Sequence, residues 1–190
     1  MQLKRRRRLP EQAPAQSGFM LVEVLVSIVL SAVALLALAG VSAMTLRYTK
    51  MSQYRVVATL LATNLGERMR ANRAGFLAQG YDFSATSFAG QSALATLPAQ
   101  SCDSAGSFCT ALEIAQLDLA QWRQQARRLL PEGSAFVLRQ ADAVGADVWL
   151  AWRDPLLANT DESPRRAAEC PDGLAAADPG IRCSYFRINL

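Results

Sequence analysis

The chain has 190 residues, of which 51% are apolar and 19% charged. That excludes disorder throughout and bounds the fold to one globular domain plus a tail. Histidine is absent, which excludes Ser-His-Asp, Cys-His and His-ligated zinc chemistry on composition alone.

The net charge of +4 lies in the first 18 residues, where Lys4, Arg5, Arg6, Arg7 and Arg8 outnumber Glu11. From Phe19 onward 15 basic residues balance 15 acidic ones. A folded part with no net charge gives no basic stripe, so nucleic acid is not an expected partner. After the basic cluster comes a spacer with Pro and Gln, then Gly18.

Residues 19–44 form a largely apolar run in which only Glu23 is charged. The uncharged part, 24–44, would rise about 31 Å as a helix, enough for a hydrocarbon core of roughly 30 Å. A buried core helix is rarely apolar on every face for this length. A secretory signal has a shorter apolar region, although Ala37, Ala39 and Ala43 imitate its cleavage site. Lys4 to Arg8 precede the span, while only Arg47 and Lys50 follow it closely. That asymmetry places the N-terminus in the cytoplasm and the remainder outside. Glu23 is the exception within the span. A carboxylate in hydrocarbon costs about 2–3 kcal/mol, less near the end of a span, so it needs either a partner or an interfacial position.

The basic leader, the Gly18-Phe19 junction, Glu23 at the fifth apolar position and the unbroken helix resemble the class III signal of type IV pilins and related pseudopilins. That resemblance implies cleavage by the prepilin peptidase between Gly18 and Phe19 and methylation of the new Phe19 amine. Gly18, without a side chain, lies extended in a tight protease cleft at low steric cost. The resemblance also supplies a partner for Glu23: the N-terminal amine of a neighbouring subunit, a pair that compensates burial and sets axial register.

No proline occurs from Phe19 to Gly75, so one long helix is expected over 19–72. Its distal part is amphipathic. Met51, Tyr54, Val57, Ala58, Leu61, Leu65 and Met69 form a stripe, and Lys50, Gln53, Arg55, Asn64, Glu67 and Arg68 can face away. Gly66 is a weak point, and Gly75 lies where the helix should end. Residues 75–109 read as loop. A second helix is expected from Asp118 as N-cap, with Gln121 completing a capping box and Leu117 and Trp122 as staple. Leu119, Trp122, Ala126 and Leu129 are its apolar stripe, and Pro131 and Gly133 end it. Strands are expected at 134–140, 146–153 and 181–190, the first two as a hairpin. In the second, Val148, Leu150 and Trp152 face opposite to Trp149 and Ala151. The fold class is therefore α+β, a long helix with its distal half packed on a small antiparallel sheet.

Four cysteines, Cys102, Cys109, Cys170 and Cys183, lie beyond the span. An even count on the outward side reads as disulfides. Three pairings are possible; the local one, Cys102–Cys109 and Cys170–Cys183, closes short loops worth roughly 2–3 kcal/mol each. A zinc site of four thiolates fits poorly, because zinc pairs are typically CxxC. Asp154, Asp161 and Glu162 read as solvated acids, and Asp172, Gly173 and Asp178 do not match a calcium loop. No catalytic residue, cofactor site or metal site is expected.

Glu67-Arg-Met-Arg-Ala-Asn-Arg73, the Asp118-x3-Trp122 helix ending in Leu130-Pro-Glu-Gly133, Trp152-x-Asp154 and the late cysteine pair look like the type IV pilus modification protein PilV family of minor pilins. The similarity spans most of the chain, with gaps in the 75–100 and 161–178 loops. The leader, with nine residues between Arg8 and Gly18, is longer than in typical major pilins. The resemblance implies a type IV pilin-like fold with four parts: a cleaved leader 1–18, a transmembrane part 19–45, an amphipathic part 46–74 and a periplasmic globular domain 75–190. It implies a structural role in pilus assembly or initiation, not an enzyme. The prepilin peptidase, other minor pilins, the major pilin and inner-membrane lipid are the implied partners. A minor pseudopilin of a type II secretion system shares the anchor logic. A bitopic periplasmic enzyme or binding module is the alternative of another class.

Overall fold

The first helix, α1, runs from Leu21 to Ala71 without interruption, as the absence of proline requires. The computed structural model describes residues 20–84, 86–99, 102, 108–154, 170, 171, 174 and 180–190. The chain divides into two compact units, Met1–Met44 and Thr45–Leu190.

In the first unit the described residues are all solvent-facing, from Met20 to Met44. One apolar helix with no buried side in its first half is long enough to cross a membrane. Its hydroxyls need no outside acceptor. Ser27, Ser31 and Ser42 each donate to the carbonyl four residues back, on Glu23, Ser27 and Leu38, at 2.7–2.8 Å. Such back-bonding satisfies a polar group that lipid cannot.

In the second unit the distal part of α1 turns amphipathic and buries Ala58, Leu61, Ala62, Leu65, Gly66 and Met69. Gly66 is a contact point, not the weak point its helix propensity suggests. A Cβ there would sit 3.1 Å from Ile188 Cγ2, so glycine permits the close approach of helix and sheet. A short helix α2 (Arg73–Leu77), capped by Asn72, follows. Gly75 sits inside α2 and ends nothing; a Cβ at that position would strike the Ala111 carbonyl.

The stretch expected as loop thus contains α2 and a 3-10 turn at Ala89–Gln91. The next helix, α3 (Ala111–Leu129), begins eight residues before the expected start, with its N-cap at Thr110 instead of Asp118. Its N-cap is Thr110, whose hydroxyl accepts from the Glu113 N–H while Glu113 accepts from the Thr110 N–H. Asp118 lies mid-helix. Leu129, expected in the stripe, is 56% exposed; Ala115, Leu119, Ala120, Trp122 and Ala126 are buried, and Leu130 fills the core beyond the helix end.

Three strands, β1 (Ser134–Arg139), β2 (Gly145–Arg153) and β3 (Ile181–Asn189), form an antiparallel sheet in that order. Alternation along β2 separates its faces as the sequence implies. Val148, Leu150 and Trp152 join the main core with α1 and α3, while Ala151 packs on the far side with Phe88, Leu174, Ile181 and Cys183. The layout is α+β, with the distal half of a long helix on a small three-stranded sheet.

Candidate functional site

No enclosed, polar, catalytic-looking cleft organises the described residues. Two features stand out instead: an apolar helix with a single carboxylate, and the collar that holds the distal end of the same helix.

Glu23 lies in the first turn of α1. Its backbone N–H donates to the Met20 carbonyl at 2.9 Å, and its side chain makes no hydrogen bond or ion pair among the described residues. Leu21, Val22, Val24 and Leu25 around it are all exposed. A carboxylate near a helix N-terminus meets the positive end of the helix dipole, worth a few tenths of a kcal/mol up to about 1. That is less than the cost of hydrocarbon burial, so the site is incomplete for a group placed in lipid.

The collar is built by the run 67–73. Met69 fills the core. On the adjacent face Arg68 Nη1 reaches Asp118 Oδ1 at 2.6 Å and Gln121 Oε1 at 3.3 Å, and its Nε donates to Asn64 Oδ1. The Tyr81 hydroxyl donates to Asp118 Oδ2 at 2.9 Å and lies 3.2 Å from the Arg68 carbonyl. Burial first, then the Asp118 carboxylate, push the Tyr81 phenol well above its ordinary range. Arg70 binds Glu67 through one nitrogen and the Asn189 carbonyl through another, tying α1 to the end of β3. The Asn72 side chain accepts from the Gly75 N–H and donates to the Ala111 carbonyl. Trp122 Nε1 donates to the Leu61 carbonyl at 2.8 Å. Every polar side chain of 67–72 therefore has a defined partner, and the collar fixes this end of α1 to α2, α3 and β3.

The sheet's far face carries an aromatic row. Phe136 meets Trp149 edge-on at 5.5 Å, and Trp149 meets Tyr185 at 5.0 Å. Beside it, Asp147 accepts from Tyr185, Gln140 and Arg187. Burial works to raise the Asp147 carboxyl, but these three donors outweigh it and hold it below its ordinary value. Asp154, buried at the end of β2, pairs with Arg182 at 3.4 Å.

The structure joins Cys102 to Cys109 and Cys170 to Cys183, with Cα separations of 5.8 and 5.2 Å. The local pairing is the one formed, and no free cysteine remains. Gly18 and Phe19 lie outside the described residues, as do Asp161, Glu162, Asp172, Gly173 and Asp178. No group of three or more metal-ligating side chains occurs among the described residues. Arg68, expected to face solvent, and Asp118, expected as a cap, turn out to be partners fifty residues apart. The only trace of that in the sequence is two charges of opposite sign on helical stripes. The chain matches no protein-family model, no curated protein and no solved structure.

Proposed function

We propose that the protein is a minor pilin: a structural subunit that is held in the inner membrane by the first half of α1 and then enters a type IV pilus. The observation that carries this reading is the unburied apolar half of α1 with one carboxylate in its first turn that has no partner among the described residues. A helix of that kind needs lipid or like helices around it, and its acid needs a cation that lies outside the described chain. The neighbouring subunit's N-terminal amine is that cation in this reading. The collar supports it as well, since a helix that packs with others must be held firmly by its own domain.

In this reading the prepilin peptidase removes 1–18 and methylates Phe19. The N-terminus is cytoplasmic and 75–190 are periplasmic, an oxidising compartment that suits both disulfides. The partners are other minor pilins and the major pilin, and the role is assembly or initiation of the filament without catalysis.

Intact mass and N-terminal sequencing of the membrane-extracted protein test this. The expected result is a chain that begins at Phe19 and carries one additional methyl group. A start after Ala39 or Ala43, or a retained leader in cells with active prepilin peptidase, would overturn it.

A further inference from the structure

Between Val24 and Gly66 the charged residues of α1 are Arg47, Lys50 and Arg55, all cations; the stretch contains no Asp or Glu. Arg47 and Lys50 lie one turn apart, where like charges repel. Both are exposed, and among the described residues no carboxylate pairs with either.

The helix sets their position. Arg47 and Lys50 precede Ala58 and Leu61 by eleven residues, about three turns, and so share their face. Along that face Ala58 and Leu61 are buried in the core, and Tyr54 packs against it half-buried. Met51 is half-buried, and Lys50 and Arg47 are exposed. The cover given by the folded domain therefore stops at Met51. The apolar run ends at Met44, and the two cations stand between these points.

α1 continues unbroken past Met44. At 1.5 Å per residue Arg47 stands about 5 Å and Lys50 about 9 Å beyond it. The headgroup layer on each side of a bilayer is about 5–8 Å deep. Helical side chains tilt towards the helix N-terminus, which here is the side of the apolar span, so both charges lean back into that layer. Tyr48, 62% exposed, stands at the same level, where an aromatic ring with a polar tip is stable. A zwitterionic headgroup carries its own cation beside the phosphate and leaves the charge of the pair uncancelled. A headgroup of net negative charge cancels it, and its phosphate oxygens accept from a guanidinium fork and an ammonium together.

We propose that Arg47 and Lys50 form a binding site for the phosphate of an anionic phospholipid, in the leaflet at the C-terminal end of the span. The proposal rests on the reading of the first half of α1 as a membrane span, and not on filament entry.

The test uses the full chain in vesicles of phosphatidylcholine with about one part in ten of phosphatidylglycerol. A photoreactive benzoylphenylalanine replaces Tyr48 or, in a second preparation, the exposed mid-span Leu36, and the cross-linked lipid is identified by mass. From position 48, phosphatidylglycerol should form at least three times its share of the bilayer. Arg47→Gln with Lys50→Gln should bring it back to about the bulk share. Arg47→Lys with Lys50→Arg should keep it within about twofold of the parent. Arg55, about 17 Å beyond Met44 and about 80° round the helix from Arg47, is the control, and Arg55→Gln should change nothing. Millimolar inorganic phosphate should not displace the lipid. A bulk share in the parent, enrichment that survives the double Gln variant, an equal loss in Arg55→Gln, or displacement by inorganic phosphate would overturn the proposal. So would a cross-link from position 48 in native membranes that goes chiefly to a protein. Lipid products from position 36 alongside any of these results leave the span standing. Absence of lipid products from position 36 overturns the span and this proposal together.

Discussion

At the scale of single residues, the two carboxylates Glu23 and Asp118 illustrate opposite solutions to the same cost. Asp118 has a guanidinium and a phenol against its two oxygens. Among the described residues Glu23 has neither; under the proposed function its compensation comes from a neighbouring subunit. Under the proposed pilin function, Glu23→Ala should therefore leave leader cleavage and membrane accumulation intact and reduce recovery in sheared filaments by tenfold or more. Normal recovery would mean that Glu23 merely reaches the lipid headgroups. Tyr81 makes a second prediction. Its phenol is raised above the ordinary value of 10.0, so the fold favours the protonated form. Its contribution to stability is fully present below pH 10 and is lost as pH rises from about 10 towards the folded value. Urea unfolding in detergent, followed by near-UV circular dichroism, should show stability falling above about pH 10. Tyr81→Phe should flatten that fall while costing about 1 kcal/mol at neutral pH through the lost hydrogen bond. Tyr185 is also raised, chiefly by its bond to Asp147, so Tyr185→Phe is the necessary comparison.

At the scale of elements, α3 shows where the sequence was legible and where it was not. Its apolar stripe, its end at Pro131 and Gly133 and its contact with α1 all follow from periodicity and helix punctuation. Its start does not. Asp118 with Gln121 and Thr110 with Glu113 are both capping-box patterns, and local spacing cannot rank them. What decides is that Asp118 is needed by Arg68, an interaction across fifty residues. The same holds at Leu129 and Leu130, where the turn that leaves the helix, not its period, selects the buried residue. The true cap gives a direct test. Thr110→Ala should cost about 1 kcal/mol and lower the melting temperature by about 2–4 °C. Asp118→Asn should instead act through the collar, and the double variant Arg68→Ala/Asp118→Asn should cost less than the sum of the singles. A large loss from Asp118→Asn that persists unchanged in the Arg68→Ala background would contradict the pairing.

At the scale of the whole molecule, the three strands and the hairpin of β1 and β2 were readable, because a short turn joins that pair and β2 alternates; the place of β3 beside β2 was not, since a long connection separates them. Not readable either is the closure of the β1 edge of the sheet. It depends on Phe83, Gln91 and Asp82, residues of a stretch with no period at all. The disulfides carry a further consequence, for how the protein is made. Each bond joins cysteines that are neighbours in the order of synthesis, Cys102 with Cys109 and Cys170 with Cys183. A chain that emerges N-terminus first exposes a complete native pair before the next pair appears. An oxidase that simply joins whichever two thiols it meets in succession thus makes the correct bonds, and there is no wrong connectivity to undo. Cells lacking a disulfide isomerase should accumulate the protein at normal levels with native peptide maps, whereas cells lacking the thiol oxidase should yield four free thiols and a protein cleared by proteolysis.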